Sequence, residues 1–221
     1  MEVFERINRK EFTYDEELLL KNIYKNRLLD LAALKEMETR ADILREDFRQ
    51  KGCYNPIEHI KTRIKKPESI LKKVYLRNIP MDASIVRESL NDIAGIRIVC
   101  TFKEDIYRIS KIIQDYEDVE ILQIKDYIQN PKPSGYQSYH IIAKIPVHLA
   151  DGKQYVKIEI QLRTMAMDFW ASLEHKIKYK FDWELPENIR QELKTCANIV
   201  DSLDNNMQDL HKKVHKELKK K

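Results

Sequence analysis

The sequence predicts an α/β (α+β) fold, in which a mixed β-sheet is flanked by helices and extended by further helices at both ends. Strand and helix patterns alternate after Gly95, and a short Asp151-Gly152 turn joins the last two strands into a predicted antiparallel hairpin. The terminal stretches instead place apolar residues three or four apart, which is typical of amphipathic helices. We expect one domain over residues 1–221, with N-terminal helices at 1–54, a core at 55–180 and C-terminal helices at 181–221.

The first stretch opens with a capping-box pattern at Thr13 and Glu16, and its apolar spacing up to Gly52 predicts one or two long helices. Asn55 and Pro56 then resemble a helix start, so a short helix is expected over 57–66, with a restart over 67–76. A further helix is expected over 83–90. These segments form the helical approach to the sheet.

The core should alternate between strands and helices. Its expected elements are a strand after Gly95, a helix at 103–114, strands at 119–124, 139–147 and 154–163, and a helix from Met165. The last segment has a heptad seam, which predicts packing on another helix of this chain or of a neighbour, formed by Cys196, Val200, Leu203, Met207, Leu210 and Val214.

The composition narrows the possible functions. With 221 residues, 43% of them hydrophobic and 34% charged, the chain can bury a core and is not a disordered polymer. Its net charge of +4 is too small for bulk electrostatics to drive nucleic-acid binding. Only 4 glycines occur and no glycine-rich phosphate loop is present, so side chains would have to hold any nucleotide.

Cysteine usage and hydropathy indicate a location. The cysteines Cys53, Cys100 and Cys196 are odd in number and unclustered, which suggests neither a disulfide framework nor a structural zinc site. No apolar run is long enough to span a bilayer, and the first residues lack a signal-peptide pattern. We therefore expect a cytoplasmic protein.

The strand at 154–163 alternates strictly between apolar and polar residues, with Glu159 on its polar face. A half-solvated strand with ion pairs is the simplest interpretation of that pattern. A second acid, Asp92, lies at a helix-to-strand junction, where a helix-ending loop acid is the simpler alternative, and Gly95 would allow close backbone approach. Two carboxylates brought together beside phosphates would suit Mg²⁺.

The loop before the strand at 139–147 is stiffened by prolines and displays Lys132, Tyr136, Tyr139 and His140. Such a loop can stack a base on a tyrosine while basic groups meet phosphates, although an inward-packed Tyr136 is the simpler alternative. A basic face, with Lys61 and Lys65 one helical turn apart, would contribute if it pointed at the same cleft.

Two other patterns are interpreted as structural. The helical stripe of Met165, Phe169, Leu173 and Ile177 is expected to pack in the core. The pair His211 and His215 lacks an intervening acid and is expected at the surface.

Five segments in order, NPIEHIKTRIKKPESI, DIAGIRIVCTF, KDYIQNPKPSGYQSYH, VKIEIQLRT and AMDFWASLEHKIKYK, resemble the small alarmone synthetases, single-domain relatives of RelA/SpoT-type enzymes. The resemblance implies a nucleotidyltransferase-like synthetase domain that uses Mg²⁺. It also implies transfer of the β,γ-pyrophosphate of ATP to the 3′-hydroxyl of GDP, GTP or GMP. Homotetramers built through terminal helices are common in this family, and regulation by (p)ppGpp or single-stranded RNA is left open.

The matching motifs imply roles for individual residues. Asp92 and Glu159 would coordinate Mg²⁺, and Glu159 would also be the general base for the 3′-hydroxyl. In the implied ATP site, adenine would be stacked between Arg63 and Arg97. The ATP phosphates would be approached by Lys65, Ser69 and Lys73. The implied guanine-nucleotide site, with a tyrosine that stacks on the base, comprises Tyr136, Lys132, His140, Gln161, Arg163 and, as a weaker match, Lys125.

Three features separate this interpretation from its alternatives. No His-Asp dipeptide typical of the alarmone-hydrolase domain occurs, so synthesis only is expected. Asp92 has no neighbouring acid up to Cys100, which opposes nucleotidyl transfer. Tyr139 stands where close relatives are expected to have leucine, which leaves the preferred acceptor nucleotide open. The competing hypotheses are a toxin-type relative that pyrophosphorylates tRNA and a non-catalytic RNA-binding regulator.

Overall fold

The fold of this chain was taken from a computed structural model that describes residues 2–52, 54–180 and 185–218. The helices are α1 (Glu2–Asn8), α2 (Tyr14–Tyr24), α3 (Arg27–Gln50), α4 (Pro67–Leu76), α5 (Ala83–Ser89), α6 (Lys103–Gln114), α7 (Met165–Lys180) and α8 (Glu187–Leu218). The strands are β1 (Ile57–Ile64), β2 (Ala94–Cys100), β3 (Glu120–Asp126), β4 (Tyr139–Leu149) and β5 (Gly152–Thr164). Cys53 lies outside the described residues.

The five strands form one mixed sheet in the order β1-β2-β5-β4-β3. Strands β4 and β5 form the predicted antiparallel hairpin, whose turn places Gly152 at a φ of 115° that favours glycine. Strands β2 and β5 run parallel, and the two outer pairs are antiparallel. The prediction of a mixed sheet flanked by helices is therefore confirmed.

The segment at 57–66 differs from the prediction, because residues 57–64 form strand β1 and not a helix. The side chain of Asn55 brackets Ile57, accepting from its N–H at 3.1 Å and donating to its carbonyl at 3.0 Å. Residues 57–64 then pair antiparallel with β2, so a long-range ladder replaces local helical bonds. Lys61 and Lys65 are consequently not one helical turn apart.

The one or two long helices predicted between Thr13 and Gly52 are confirmed as α2 and α3, and a further short helix, α1, precedes them. The predicted capping box is present at the start of α2, where Glu16 receives the Thr13 N–H at 2.7 Å. The Glu16 carboxylate is fully buried and also binds Arg6 and the Tyr75 hydroxyl, each at 2.7 Å. It thereby ties α1, α2 and α4 together.

The two faces of the sheet have different surroundings. One face is apolar and packs against α3 and α6, with alternate residues of the central strand, Val156, Ile158, Ile160 and Leu162, buried in that core. The other face carries the polar residues of the same strands, and α7 packs at one end of it. The sheet thus separates a hydrophobic core from a polar surface.

The apolar stripe on α7 was predicted to be core, and this is wrong for three of its residues. Met165, Phe169 and Leu173 are exposed, and only Ile177 is partly buried. The buried side of α7 is instead formed by Met167 and its neighbours Trp170 and Ala171.

Helix α8 packs on α6 and α7, and of the predicted seam only Val200 takes part in this packing, whereas Cys196 is exposed. The seam residues Leu203, Met207, Leu210 and Val214 are all exposed, so within the described residues this chain does not cover them. His211 is not a simple surface residue, because its ring lies 4.6 Å from that of Phe102; the side chain of His215 lies outside the described set.

In the described parts of the chain, no helix combines the length and apolar character needed to cross a membrane.

Candidate functional site

The polar face of the sheet brings the predicted site residues together. Pairing across all five strands aligns one row of polar residues on this face: Lys61, Arg97, Gln161, His140 and Lys125. The adjacent row places Arg63, Gly95 and Glu159 side by side. Residues from the whole length of the core therefore converge on one surface.

Asp92 lies at one edge of this surface, in the loop between α5 and β2. Its Oδ2 atom accepts from Lys65 Nζ at 2.8 Å and from Lys73 Nζ at 2.6 Å. Burial raises the pKa of Asp92, but the two lysine charges outweigh burial and lower the pKa to about 2. Its Oδ1 atom is buried and has no hydrogen-bond partner.

Hydrogen bonds of its backbone hold Lys65 in place beside Asp92. Its backbone N–H donates to the Ile93 carbonyl at 2.7 Å, and its own carbonyl accepts from the Tyr24 hydroxyl at 2.9 Å. Burial lowers its pKa, and the Asp92 carboxylate opposes that shift. Lys65 directly precedes the N-cap of α4, where Ser69 lies in the first turn, so the positive end of α4 lies next to Lys65, whereas Lys73 belongs to the last turn of the helix.

Glu159 lies on the central strand β5 and is held from two sides. Its Oε1 atom lies 3.2 Å from His140 Nδ1, and its Oε2 atom accepts from Gln161 Nε2 at 2.7 Å. Burial raises the pKa of Glu159, but the hydrogen bond and charge of His140 outweigh it and the pKa is lowered. The negative charge of Asp92 opposes this shift, since it raises the pKa of Glu159.

The loop between β3 and β4 supplies Tyr136, whose ring is largely buried. Its hydroxyl lies 2.8 Å from His140 Nε2 and accepts from Arg163 Nη2 at 2.7 Å. Lys132 Nζ lies 4.7 Å from the centroid of the Tyr136 ring. Both the hydroxyl and one ring face of this tyrosine therefore have partners within the protein.

Gly135 fixes the course of this loop. Its φ of 86° disfavours other residues, and an added Cβ would lie 2.4 Å from the Cβ of Ala197 on α8. Gly95 was expected to allow close backbone approach, but the spacing found there does not require a glycine. A Cβ there would meet only the Glu159 carbonyl oxygen, at an ordinary 3.7 Å.

A further acid, Asp168, was not identified from the sequence. It lies in the first turn of α7, and its Oδ1 atom is 2.9 Å from Arg97 Nη1 and 3.2 Å from Arg163 Nη1. Burial lowers the pKa of Arg97, and the neighbouring Arg163 charge lowers it further. An isolated acid within the apolar sequence AMDFWA was the available signal, but its spacing matched no recognised pattern.

The donor set has the chemistry of a hard-cation site built from carboxylates. No cluster of three or more His, Cys, Asp and Glu side chains suited to a metal occurs in residues 2–52, 54–180 and 185–218. A pair of carboxylates, one with an unpartnered buried oxygen, could still hold Mg²⁺, which usually takes one or two protein carboxylates together with phosphate oxygens and water. Asp92 and Glu159 fit that requirement.

Comparison with known proteins identifies the class to which this fold and site belong. The region found in RelA / SpoT proteins matches residues 62–184, more than half of the chain, so the chain belongs to the RelA/SpoT family. Solved structures that this chain covers almost completely include small alarmone synthetases, the class that the sequence motifs predicted.

Three relatives define the similarity. GTP pyrophosphokinase YwaC of Bacillus subtilis (strain 168) is 44% identical over 86% of this chain and 91% of its own length. GTP pyrophosphokinase YjbM of the same strain is 33% identical over 82% of this chain and 85% of its own length. The crystal structure of small alarmone synthetase 1 from Bacillus subtilis bound to its product pppGpp has a TM-score of 0.79 and 32% identity, covering 86% of this chain and 97% of that chain.

Proposed function

We propose that this chain is a GTP pyrophosphokinase that synthesises alarmones. It transfers the β,γ-pyrophosphate of ATP to the 3′-hydroxyl of GDP, GTP or GMP and releases AMP. The observation that carries the proposal is the placement of Asp92 beside two lysines, at the edge of the polar sheet face on which Glu159 lies. The pyrophosphokinase names of the full-length relatives support the same reaction.

ATP occupies the β1–β2 side of this face. Arg63 and Arg97 project from neighbouring strands on the same face, and their planar guanidinium groups stack on adenine. Lys65 and Ser69 approach the phosphates at the start of α4, where the helix dipole also favours negative charge, and Lys73 approaches them from the last turn of that helix. Phosphate binding draws the two lysines from Asp92, and the freed carboxylate can then bind a cation.

The acceptor nucleotide occupies the β5–β4 side. Tyr136 stacks on guanine, with Lys132 moving from the ring to meet acceptor phosphates. Ribose and phosphate groups of the acceptor are contacted by Gln161, Arg163 and the more distant Lys125, which line the same polar face. His140 also belongs to the acceptor site.

The catalytic step needs positioning, charge neutralisation and one proton transfer. Glu159 takes the proton of the acceptor 3′-hydroxyl, whose oxygen bonds to the β-phosphorus of ATP as the bond from that phosphorus to the α-phosphate oxygen breaks. Asp92 and Glu159 would hold Mg²⁺, which neutralises phosphate charge when bound. The unpartnered Asp92 Oδ1 supports this assignment.

The proposal also includes four more specific expectations about activity, assembly, location and regulation. Synthesis without hydrolysis, homotetrameric assembly, a cytoplasmic location and regulation by (p)ppGpp or single-stranded RNA stay predictions. The exposed apolar seam of α8 supports self-association.

The test is to incubate the purified protein with γ-labelled ATP, Mg²⁺ and, separately, GMP, GDP, GTP or uncharged tRNA. Labelled guanosine nucleotide, lost in Asp92→Asn and Glu159→Gln, is expected and would rank the acceptors. Label on tRNA alone would support the toxin-type alternative. No transfer to any acceptor would contradict the proposed reaction.

A further inference from the structure

Asp168 links two arginines that come from different strands. Its side chain is buried, and a single oxygen, Oδ1, lies 2.9 Å from Arg97 Nη1 on β2 and 3.2 Å from Arg163 Nη1 on β5. Helix α7 carries the acid, and its other oxygen, Oδ2, lies 3.9 Å from His59 Nε2 on β1, so four separate elements meet at one carboxylate. This contact lies between the two halves of the polar face.

Two guanidinium groups so close together need a counter-charge. Arg163 is almost fully buried, and its charge disfavours the charged form of Arg97, whereas Asp168 favours it. Arg163 has further partners in Tyr136 and Gln161, whereas Asp168 is the one ion-pair partner of Arg97 among the described residues. Loss of the carboxylate charge should therefore displace Arg97 more than Arg163.

Each arginine belongs to a different nucleotide site under the proposed function. Arg97 faces the ATP side and has a buried, unpartnered Nε atom. Arg163 donates to the Tyr136 hydroxyl at 2.7 Å, and that hydroxyl in turn lies 2.8 Å from the ring of His140. The acid therefore connects the adenine-binding arginine to the acceptor-binding tyrosine.

We propose that Asp168 is a positioning residue that couples the ATP site to the acceptor site. It acts through Arg97 and Arg163 and touches neither nucleotide. This inference rests on the proposed function, since it assumes that the two arginines serve different nucleotides. It predicts that damage on one side of the carboxylate weakens binding on the other side.

The first test measures binding of a non-hydrolysable ATP analogue by calorimetry in wild type, Asp168→Asn, Arg97→Ala and the double variant. Asp168→Asn should weaken binding about tenfold, as loss of a hydrogen bond to a charged group typically does. In the Arg97→Ala background, the same change should have almost no further effect, because the two residues act together. Asp168→Glu, which keeps the charge, should recover part of the affinity. Full additivity of the single effects, or wild-type affinity in Asp168→Asn, would overturn the proposal.

The second test uses Arg97→Gln, which breaks the link from the strand side and also serves if Asp168→Asn fails to fold. It should weaken GDP binding about fivefold, within the range of known site-to-site couplings, although Arg97 faces the other nucleotide. Unchanged GDP affinity would contradict the coupling.

Asp204→Asn is the matched control. Asp204 is a buried carboxylate that accepts from the Thr164 hydroxyl at 2.7 Å, one residue beyond Arg163, and contacts no proposed site residue. It should change thermal stability without changing the affinity for either nucleotide. Since these are binding measurements, a wild type that binds neither nucleotide would contradict the proposed function, whereas normal binding by Asp168→Asn would contradict only the coupling.

Discussion

The Nδ1 atom of His140 lies 3.2 Å from the Oε1 atom of Glu159. The other ring nitrogen lies 2.8 Å from the Tyr136 hydroxyl, so both nitrogens of this buried ring have protein partners. Burial lowers the pKa of His140, and the Glu159 carboxylate opposes that shift. In this arrangement His140 orients the Glu159 carboxylate. To contact the acceptor nucleotide, as the motif resemblance implies, His140 must first give up one of its two protein partners.

Replacing Glu159 by Gln should abolish product formation while nucleotide binding and folding are retained. The amide has nearly the same volume but cannot accept the 3′-hydroxyl proton. Product should be measured by transfer of label from ATP and folding by thermal unfolding. Glu120→Gln is the control, since Glu120 is an exposed acid of the same sheet that pairs with Lys144. Full activity in Glu159→Gln would contradict the assignment of Glu159 as the general base.

Two substitutions of Tyr136 should separate its ring from its hydroxyl. Tyr136→Ala should raise the KM for the guanine acceptor more than the KM for ATP, because it removes the stacking surface. Tyr136→Phe keeps the ring but leaves His140 and Arg163 without their common partner, so kcat should fall while the acceptor KM changes little. Steady-state kinetics with each substrate varied would check both expectations. Equal effects of Tyr136→Ala on the two KM values would mean that the stacking role is wrong.

Lys73→Ala should raise the KM for ATP about tenfold, as expected for loss of one charge-assisted contact to phosphate. Lys72→Ala, one position earlier on α4, is the matched control and should behave like wild type. Titration with a non-hydrolysable ATP analogue would measure the same difference without catalysis. If the two variants bound the analogue equally well, Lys73 would have no role in ATP binding.

Acid should destabilise the N-terminal helices through Glu16. Its hydrogen bond with Arg6 is the main cause that lowers its pKa from 4.5 to about 2. A lowered pKa contributes stability that is complete above pH 4.5 and is lost as the pH falls through about 2. Thermal unfolding should therefore show a falling Tm over that interval. Glu16→Gln should lower stability by roughly 2 kcal/mol at neutral pH and should flatten the acid dependence; an unchanged acid profile would count against this origin.

The exposed seam of α8 should mediate self-association. Leu203→Glu places a charge in the middle of that seam and should reduce the molecular mass measured by light scattering to that of one chain. Ser202→Glu, directed away from the seam, adds the same charge and should leave the mass unchanged. A wild type that is already monomeric at all concentrations would contradict the prediction.

Strand β5 could be predicted almost completely because its alternation is uninterrupted over residues 154–163. Strand β1 could not, since Ile57, Ile60 and Ile64 have helical spacing and only pairing with the distant β2 determines their conformation. On α7 both sides are apolar, so periodicity identified a stripe without showing which side the protein would bury.

In the candidate site, too, some residues could be predicted from the sequence and others depend on contacts made by the fold. The predicted acids, lysines and tyrosine were available as ordered motifs. The sheet register places Glu159 on the polar face, whereas Asp92 and Tyr136 are supplied by the loops before β2 and β4. Asp168 belongs to no spacing rule, because its partners Arg97 and Arg163 are determined by how α7 packs on the sheet. Contacts between elements that are far apart in sequence require the fold itself.

Glu159 lies on the middle strand of the five, and hydrogen-bonded neighbours hold β5 along both sides. Its position therefore cannot be lost by fraying of an edge or opening of a lid, and requires the whole sheet to separate. Heating should leave the catalytic acid in place until the chain unfolds cooperatively. Amide protons along its strand should accordingly be among the slowest to exchange with solvent deuterium.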